Sequence, residues 1–443
     1  MDEATFTTGQ VRERPPTAAR AATPAAEAMQ PVFTALFGGP PPVLFEFWDG
    51  SSAGPPVGSP GQVTVRSADA LRHLIWSPGE LGLGRAFLLG QLDFEGEPLE
   101  VIRALKAAMP KDRRFAKAVP AALVAARRLG IDLRPAPPPE EEARRGGVRH
   151  SRRRDARAIS HHYDVGNGFY RMVLGPSMTY SCARFATPSA TLEEAQEAKH
   201  DLVCRKLGLD QRPGMRLLDV GCGWGALAMH AAERYGAEVV GVTISEEQAD
   251  YARTRVADAG LAGAVEIRLQ DYRDLRGEVF DAVASVGMFE HVGARRIAVY
   301  FETLHGLLGP RGRLLNHAIS SVGGSALRRS SFMGRYVFPD GELIDVGAVV
   351  LAMEAAGFEV RDVESLREHY ARTLEAWLDN LAAHWDDAVA AVGETRARTW
   401  RLYMTGSAVG FTDGGLGVHQ VLGVVADERG ASGMPATRDG WVV

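Results

Sequence analysis

The chain has 443 residues, of which 46% are hydrophobic and 24% charged, and its formal net charge is -5. These values are ordinary for a globular protein of two or three domains, and the slightly acidic total argues against a nucleic-acid-binding protein. No apolar run reaches the roughly 18–20 residues that cross a bilayer, and three cysteines are too few for a disulfide framework, which favours a reducing compartment.

In chain order, the first 30 residues combine Ala, Thr, Pro and charge without the apolar core of a signal peptide. We therefore predict a disordered leader at residues 1–30. Residues 31–133 predict a small separate domain, with strands at 43–51 and 61–67 and a helix at 67–76. The glycine-punctuated segment 80–96 fits a ligand-facing loop and a turn-rich core segment equally well.

Residues 103–128 predict a basic helix, in which eight Lys and Arg side chains alternate with apolar ones. Such a pattern suits an anionic membrane surface, and it also suits a helix face that is merely solvated. Residues 134–158 predict a linker, because four prolines favour extended structure and the many charges oppose burial. Seven arginines at 144–157 fit phospholipid headgroups or another polyanion. No aromatic residues interleave with them as in a nucleic-acid reader, so we predict no nucleic-acid partner.

Residues 159–443 predict one large domain, because short apolar strands alternate with helices from residue 215 onward. Strands are expected at 217–220, 238–243, 265–269, 280–285 and 313–320. This alternation is typical of a doubly wound, mostly parallel α/β sheet. Ser245 and Gln248 predict a capping box at one helix start. Further helices are expected within 339–358, 372–392 and 396–403, followed at 411–426 by a closing hairpin or a final strand.

The segment 215–225, MRLLDVGCGWG, places a strand, a glycine-rich turn and a helix start in the order that binds a nucleotide-like ligand. Its spacing is G-x-G-x-G, whereas a dinucleotide fingerprint needs G-x-G-x-x-G and an acidic residue about 20 positions further on. Thr243 stands where that acidic residue would be. A P-loop is also absent. The run instead resembles the first motif of class I S-adenosylmethionine (SAM) methyltransferases.

Further segments narrow this resemblance to the cyclopropane-fatty-acyl-phospholipid synthases and their mycolic-acid relatives. They are HYDVGNGFY (162–170), MTYSCARF (178–185), GVTISEEQ (241–248), LQDYRDL (269–275) and SVGMFEHVG (285–293). The match covers residues 160–425, and LGLGRAFLLGQLDFEG (81–96) resembles the family's lipid-binding N-terminal domain. The resemblance implies a seven-stranded, Rossmann-like methyltransferase sheet preceded by a smaller α+β domain.

The resemblance also implies a reaction: a SAM methyl joins a cis double bond in an unsaturated acyl chain of a phospholipid. The resulting carbocation needs a dry, aromatic site, and a bound bicarbonate takes the proton whose loss closes a cyclopropane ring. The family's bicarbonate residues correspond to Cys182, Glu290, His317, Ile319 and Tyr370. The SAM-binding residues implied by the family are Tyr180, Ser181, Asp219, Gly221, Gly223, Thr243, Gln248, Gln270 and Asp271. His162, Tyr163 and Asn167 are expected to help close a lid. We predict no metal, because the adjacent Glu290 and His291 do not share a helix face.

One departure from the family pattern is LNHAISSVGGS (315–325), in which Asn316 and the Gly/Ser-rich continuation resemble an actinobacterial subgroup. Some relatives there lose a proton from a chain carbon and form a 10-methylene acyl chain, as in the tuberculostearic acid pathway. Two other readings stay open, a small-molecule SAM methyltransferase and a non-catalytic lipid-binding protein. The expected partners are phospholipid acyl chains and an anionic membrane surface, with a homodimer also possible. The expected location is cytoplasmic, peripheral at the inner face of the membrane.

Overall fold

The computed structural model describes residues 23–55, 60–109, 114–142, 166–323, 331–339 and 341–441. In its front part, four strands form a sheet in the order β2-β1-β3-β4, with helices packed around it. These elements are α1 (Ala25–Phe37), β1 (Leu44–Phe47), β2 (Ser52–Ala53), β3 (Gly61–Val65), α2 (Ala70–Trp76), α3 (Glu80–Leu88), β4 (Leu92–Gly96), α4 (Pro98–Ala108) and α5 (Arg114–Arg128).

The predicted leader is wrong for residues 25–30, because α1 begins at Ala25 and buries Ala25, Ala28 and Met29. Side chains that are distant in the sequence cap the start of this helix. The Asp49 carboxylate accepts the backbone N–H of Ala25 at 2.7 Å, and the Ser51 hydroxyl accepts that of the next residue at 2.9 Å. Capping of this kind satisfies the first N–H groups of a helix, and no local pattern reveals it.

The segment 80–96 forms a helix and a strand, α3 and β4, so the core alternative holds and the loop alternative does not. The two glycines of α3, Gly82 and Gly84, lie where other backbone or side chains come close. A Cβ added at Gly84 would lie 2.5 Å from the ring of Phe332, and one at Gly82 would lie 2.4 Å from the carbonyl oxygen of Ser77. The glycines therefore permit close packing of α3.

The basic segment 103–128 is two helices, α4 and α5, instead of the one that we predicted. Lys111 and Arg113 lie outside the described residues. The linker is described only as far as Glu142, where the expectation that charge prevents burial is wrong. The Glu142 side chain is 10% exposed and forms ion pairs with Arg85 at 2.7 Å and Arg335 at 2.8 Å. Residues 143–158 lie outside the described ranges, so a headgroup contact there stays a prediction.

The large domain contains a seven-stranded sheet in the order β10-β11-β9-β8-β5-β6-β7. Its strands are β5 (Arg216–Val220), β6 (Glu238–Thr243), β7 (Val265–Leu269), β8 (Phe280–Val286), β9 (Leu308–Ser321), β10 (Glu359–Ser365) and β11 (Leu416–Val424). Only β11 runs antiparallel to its neighbours. The predicted mostly parallel, doubly wound α/β fold is confirmed. The segment 411–426 contains the final strand of the sheet and not a hairpin.

Helices cover both faces of this sheet and form two cores. They are α6 (Asn167–Leu174), α7 (Leu192–Leu207), α8 (Ala226–Tyr235), α9 (Glu246–Asp258), α10 (Ile297–His305), α11 (Val346–Ala355), α12 (Arg367–Ala383), α13 (Trp385–Val392) and α14 (Glu394–Thr412). Helices α7, α8 and α9 pack on one face, and α10 and α11 pack on the other. This two-sided cover explains why the central strands are continuously apolar.

The predicted capping box at α9 is half formed. The Ser245 hydroxyl accepts the N–H of Gln248 at 3.3 Å, but the N–H of Ser245 donates to the Thr243 hydroxyl at 3.2 Å. Thr243 in turn donates to the Gln248 side-chain oxygen at 2.9 Å. The cap is therefore shared with the end of β6, which ties the start of α9 to the edge of the sheet.

Helix α14 joins the two domains through the buried Arg398. Its guanidinium donates to the carbonyl oxygens of Phe87 at 2.6 Å and Leu92 at 3.0 Å, and it pairs with Asp93 at 3.1 Å. All three partners belong to the front domain. Since a guanidinium holds five fixed donors, these contacts set the position of α14 against α3 and β4.

Candidate active site

The glycine loop after β5 is the base of the site. Gly221, Gly223 and Gly225 all adopt left-handed backbone conformations, with φ of 77°, 54° and 80°. A Cβ at Gly221 would also lie 2.9 Å from the side chain of Met288. Only glycine combines this conformation with such a close approach at low cost. The backbone N–H groups of residues 221 and 222 both donate to the carbonyl oxygen of Val242, which fixes the loop to β6.

A cavity opens above this loop at the carboxyl edge of the sheet, where open α/β sheets bind ligands. Its empty volume is about 1210 Å³, including the open mouth. All nine predicted SAM-binding residues line it: Tyr180, Ser181, Asp219, Gly221, Gly223, Thr243, Gln248, Gln270 and Asp271. The structure therefore brings this set together, while their individual contacts with SAM stay predictions.

Asp271 is already engaged within the protein. Its carboxylate caps the short turn Tyr272–Asp274 by accepting the N–H of Arg273, and it pairs with that guanidinium at 2.6 Å. The pair lies at the rim of the cavity. A contact between Asp271 and an adenine amine, which the resemblance implies, would have to share the carboxylate with Arg273.

Lys199 is a site residue that the motifs did not indicate. It lies on α7, is 1% exposed, lines the cavity and donates from Nζ to the Ser181 hydroxyl at 3.1 Å. Burial lowers the pKa of this lysine to about 7. The only sequence signal is its place on the buried side of a helix, where an unpaired lysine is unusual.

Asp219 faces the same cavity from the end of β5. Its Oδ2 atom is buried and has no hydrogen-bond partner among the described residues. Burial raises the pKa of this carboxyl to about 7, an effect that the charge of Lys199 partly opposes. One wall of the cavity thus presents a carboxylate and an ammonium group, each short of partners. This pair fits the ammonium and carboxylate of the methionine part of SAM.

Three of the predicted bicarbonate residues, Cys182, Ile319 and Glu290, are linked through backbone contacts between the start of α12, β11 and β9. The Cys182 thiol donates to the carbonyl oxygen of Leu366 at 3.6 Å, and the N–H of Leu366 donates to Val418 on β11. Val418 is paired with Ile319 on β9, and the N–H of Ile319 donates to Glu290 Oε1 at 2.7 Å. The Ile319 N–H is thus already donated to Glu290 within the protein, and the role of Ile319 toward bicarbonate stays a prediction.

Glu290 is buried in the short turn Phe289–His291, directly after the cavity residue Met288. Its second oxygen, Oε2, is buried and has no partner among the described residues. Burial raises the pKa of the carboxyl to about 7. A group whose proton equilibrium lies near neutrality is suited to accept or return a proton at physiological pH.

His317 is buried on β9, where burial lowers the pKa of its ring to about 3, so the imidazole is neutral. Its Nδ1 faces the amide nitrogen of Gln420 at 3.2 Å. With the Gln420 amide nitrogen facing the ring, Nδ1 accepts from it and the ring proton is assigned to Nε2. The buried Nε2 has no partner in the described part of the chain. A donor at Nε2 and an acceptor at Glu290 Oε2 match the chemistry of bicarbonate, which has acceptor oxygens and one O–H.

Tyr370 lies in the first turn of α12, and its backbone N–H shares the Leu366 carbonyl oxygen with the Cys182 thiol. Burial holds the pKa of that thiol well above its usual range, so Cys182 is a neutral thiol. The ring of Tyr370 packs on Phe411 with centroids 4.6 Å apart and meets the edge of Trp377 at 6.1 Å. Tyr370 therefore borders an aromatic cluster.

This cluster, which the sequence analysis missed, comprises Tyr170, Tyr180, Trp224, Trp377, Trp400 and Tyr403. Tyr180 is at its centre, with ring centroids 5.3 Å from Trp377 and 5.7 Å from both Tyr170 and Trp400. The other five rings are buried. Two signals point to it: the i, i+3 spacing of Trp400 and Tyr403, and Trp377 one heptad after Tyr370.

The lid prediction is tested only at Asn167, because His162 and Tyr163 lie outside the described residues. The Asn167 side-chain oxygen accepts the indole N–H of Trp224 at 2.7 Å. The start of α6 is thus attached to the glycine loop. In the described ranges we find no group of three or more His, Cys, Asp or Glu residues arranged to hold a metal ion. Over the same ranges, no helix is long and apolar enough to cross a membrane.

Comparisons with known proteins agree with this geometry. The sequence profile of the family described as mycolic acid cyclopropane synthetase matches residues 150–421. A probable fatty acid methyltransferase of Mycobacterium tuberculosis, Rv3720, is 43% identical over 91% of this chain and 95% of its own length. A probable fatty acid methyltransferase of Pseudomonas putida is 40% identical over 90% of this chain and 95% of its own length.

Solved structures are similar over the large domain. The mycolic acid cyclopropane synthase CmaA1, complexed with SAH and CTAB, is 37% identical, has a TM-score of 0.57, and is matched over 61% of this chain and 98% of its own. Coclaurine N-methyltransferase, at 23% identity and a TM-score of 0.54, shares the fold alone. The chain therefore belongs to the mycolic acid cyclopropane synthetase family and is a class I SAM-dependent methyltransferase.

Proposed function

We propose that the chain transfers a methylene unit from SAM to the cis double bond of an unsaturated fatty acyl chain in a phospholipid, which leaves a cyclopropane. The observation that carries this proposal is the buried aromatic cluster beside the cofactor cavity, where Tyr180 belongs to both. A polar small molecule would find few hydrogen-bond partners among such rings. An alkene needs none and packs favourably against the ring faces. The names of the relatives, which concern fatty acids and cyclopropane mycolic acids, support the same substrate class.

SAM supplies an electrophilic methyl group when bound. The residues of this chain hold the reactants in place and exclude water, because an alkene is a weak nucleophile that competes poorly with solvent. A carbon–carbon bond forms between the methyl carbon and one alkene carbon, and positive charge develops on the other. The faces of Trp377, Trp400 and Tyr403 stabilise this charge through their π electrons.

Ring closure requires that a proton leave the transferred methyl group while its electron pair forms the second bond to the chain. Glu290 and His317 would hold bicarbonate, which would supply the base at this point. The neutral His317 donates without adding a positive charge beside the cation. The Cys182 thiol and the backbone N–H of Tyr370 both donate to the Leu366 carbonyl oxygen, which keeps these two residues together.

The 10-methylene alternative differs only in which carbon loses the proton. The departure at Asn316 does not favour it, because Asn316 neighbours His317 on the strand and therefore points to the opposite face of the sheet. There its side-chain oxygen accepts the hydroxyl of Tyr300 at 3.3 Å. Asn316 thus belongs to the packing of α10, and the cyclopropane product remains our proposal.

We also propose that the front domain brings the enzyme to an anionic membrane surface, at the inner face of the membrane. The exposed Arg127 and Arg128 at the end of α5, together with Trp76, which is 56% exposed, support this assignment. Cationic side chains near an exposed indole are typical of proteins that rest on lipid headgroups. Vesicles with and without anionic lipid test it, since binding should require anionic lipid and weaken with salt.

The function is tested by mass spectrometry of lipids from cells that express this chain. Monounsaturated acyl chains should gain the mass of one CH2 group, and NMR should show ring protons in place of vinyl protons. Cells that express Glu290→Ala serve as the control and should show unchanged lipids. Unchanged lipids with the wild-type chain would exclude the proposal. An NMR signal of a C=CH2 group in place of ring protons would show that the product is the 10-methylene chain and not the cyclopropane.

A further inference from the structure

A second cavity lies inside the front domain, apart from the cofactor site. Its empty volume is about 960 Å³, including the open mouth, and it is lined by residues of helices α1 to α5 and of strands β1, β3 and β4. Phe33, Phe45, Leu71, Leu74, Leu105 and Ala122 are representative of its wall. Every residue that lines it is apolar: Met, Val, Phe, Leu, Ala, Pro or Gly.

Such a space is unusual in a folded domain. Protein interiors are packed as densely as organic crystals, and few voids exceed the size of a water molecule. Ordered water needs two to four polar partners, and this wall offers no polar side chain. The cavity is therefore suited to an apolar ligand.

We propose that this cavity binds a single fatty acyl chain. The inference rests on the proposed function, which makes acyl chains of lipids the substrate class. An unbranched chain carries no polar atom beyond its head, so it leaves no polar group unpaired among the Phe and Leu side chains. Each methylene group that leaves water adds to the affinity. This site differs from the one beside SAM, because none of its residues lines the cofactor cavity.

Helix α3 lies between the apolar cavity and the segment 331–339. Leu83 lines the apolar cavity, while the adjacent Gly84 packs against Phe332. Phe332 belongs to the segment 331–339, whose Phe338 packs edge-to-face with the Tyr403 ring at a centroid distance of 5.6 Å. An acyl chain in the front domain would thus lie one helix and one short segment away from the aromatic cluster.

Photocrosslinking of the full-length protein tests the proposal. The probes are a diazirine-labelled fatty acid and, separately, vesicles that contain a phospholipid with a diazirine-labelled acyl chain. Labelled peptides are then identified by mass spectrometry. We expect label on peptides of the front domain that carry cavity residues, in addition to label in the large domain. The probe that labels the front domain shows whether the chain comes from free fatty acid or from phospholipid.

Two variants on one helix provide the matched comparison. Ala122→Phe fills the cavity from α5 and should reduce front-domain labelling at least 10-fold, while labelling of the large domain persists. Val124→Phe, at a position of α5 that is 45% exposed, should leave both unchanged. Leu74→Trp fills the cavity from α2 and serves if Ala122→Phe has a lowered Tm.

The inference is wrong if neither probe labels the front domain, or if a cavity-filling variant of unchanged Tm is labelled as strongly as the wild type. Crosslinking requires no SAM, so it is independent of turnover. Front-domain label without any gain of CH2 would overturn the proposed function and leave the acyl site standing. Product formation without front-domain label would support the proposed function and exclude the acyl site in the front domain.

Discussion

The hydroxyl groups of Tyr180 and Tyr403 lie 3.1 Å apart, although 223 positions separate them in the chain. Tyr180 donates to Tyr403, and burial together with the charge of Glu290 raises the pKa of Tyr403 to about 12. Tyr180 lines the cofactor cavity, and Tyr403 feels the carboxylate behind it. This pair therefore connects the cofactor cavity with the surroundings of Glu290, where we propose that the base is held.

We expect Tyr403→Phe to lower kcat by about 10-fold or more, because the variant keeps the aromatic face but loses the hydroxyl that accepts from Tyr180. The Kd for SAM should change by less than about twofold. Tyr235→Phe, whose hydroxyl meets Asp201 outside the site, is the control. Turnover on lipid vesicles and calorimetric titration with SAM measure the two effects. Equal activity of the two variants would show that the Tyr403 hydroxyl does not contribute to turnover.

We expect the stability of the protein to depend on pH through Glu290, since burial raises the pKa of this carboxyl from 4.5 to about 7. The folded state then holds the proton more tightly than the unfolded state. The favourable contribution is complete below about pH 4.5 and is lost as the pH rises through about 7.

Glu290→Gln mimics the protonated form, and its amide oxygen still accepts the N–H of Ile319. Relative to the wild type, the variant should therefore gain about 2 kcal/mol more stability at pH 8.5 than at pH 5, while turnover falls. Denaturant unfolding at both pH values measures this difference. A stability difference between the two proteins that is the same at both pH values would mean that the Glu290 carboxyl titrates normally.

We expect Lys199→Met to weaken SAM binding by about 10-fold, or about 1.4 kcal/mol, because it removes the ammonium group that holds the Ser181 hydroxyl beside the cavity. Lys206→Met is a matched control, since Lys206 is also buried on α7 but pairs with Asp362 at 2.9 Å. That control should lower the Tm and leave the Kd for SAM unchanged. Equal SAM affinities of both variants would exclude a role for Lys199 in the cofactor site.

We expect Glu142→Gln to destabilise the joint between the domains by about 3 kcal/mol, because it removes a largely buried charge from between Arg85 and Arg335. The neighbouring Glu140→Gln is the control, since Glu140 is exposed. Thermal unfolding should show a lower Tm for the first variant only. Limited proteolysis should then cut near residue 142 sooner. If both variants unfold like the wild type, the ion pairs of Glu142 contribute no net stability.

Much of the cofactor site was predictable from short stretches of the chain. Each predicted SAM-binding segment in the sheet follows a strand, and parallel strands place their carboxyl ends at one edge. Gly221, Thr243 and Gln270 therefore meet because of chain order alone. The glycine loop needs a left-handed backbone conformation, which only glycine adopts at low cost. The G-x-G-x-G spacing is therefore recognisable in the sequence.

The start of α1, the Glu142 ion pairs and the Tyr180–Tyr403 contact were not predictable in the same way. Asp49 caps a helix that begins 24 positions earlier, and Glu142 meets Arg335 across 193 positions. Contacts over such distances in the sequence leave no local periodicity from which they could be predicted. Such contacts depend on how helices and loops pack once the sheet has formed.

The sequence by itself determined the fold class, the SAM loop and the residues around it, because those features arise from local periodicity and backbone conformation. Only the tertiary structure decided which groups share the buried space behind the loop. There the charges of Lys199 and Asp219 interact, Nε2 of His317 has no partner among the described residues, and six aromatic rings pack together. The physical reason is that burial sets these pKa values and excludes water, and burial is a property of the packed chain as a whole.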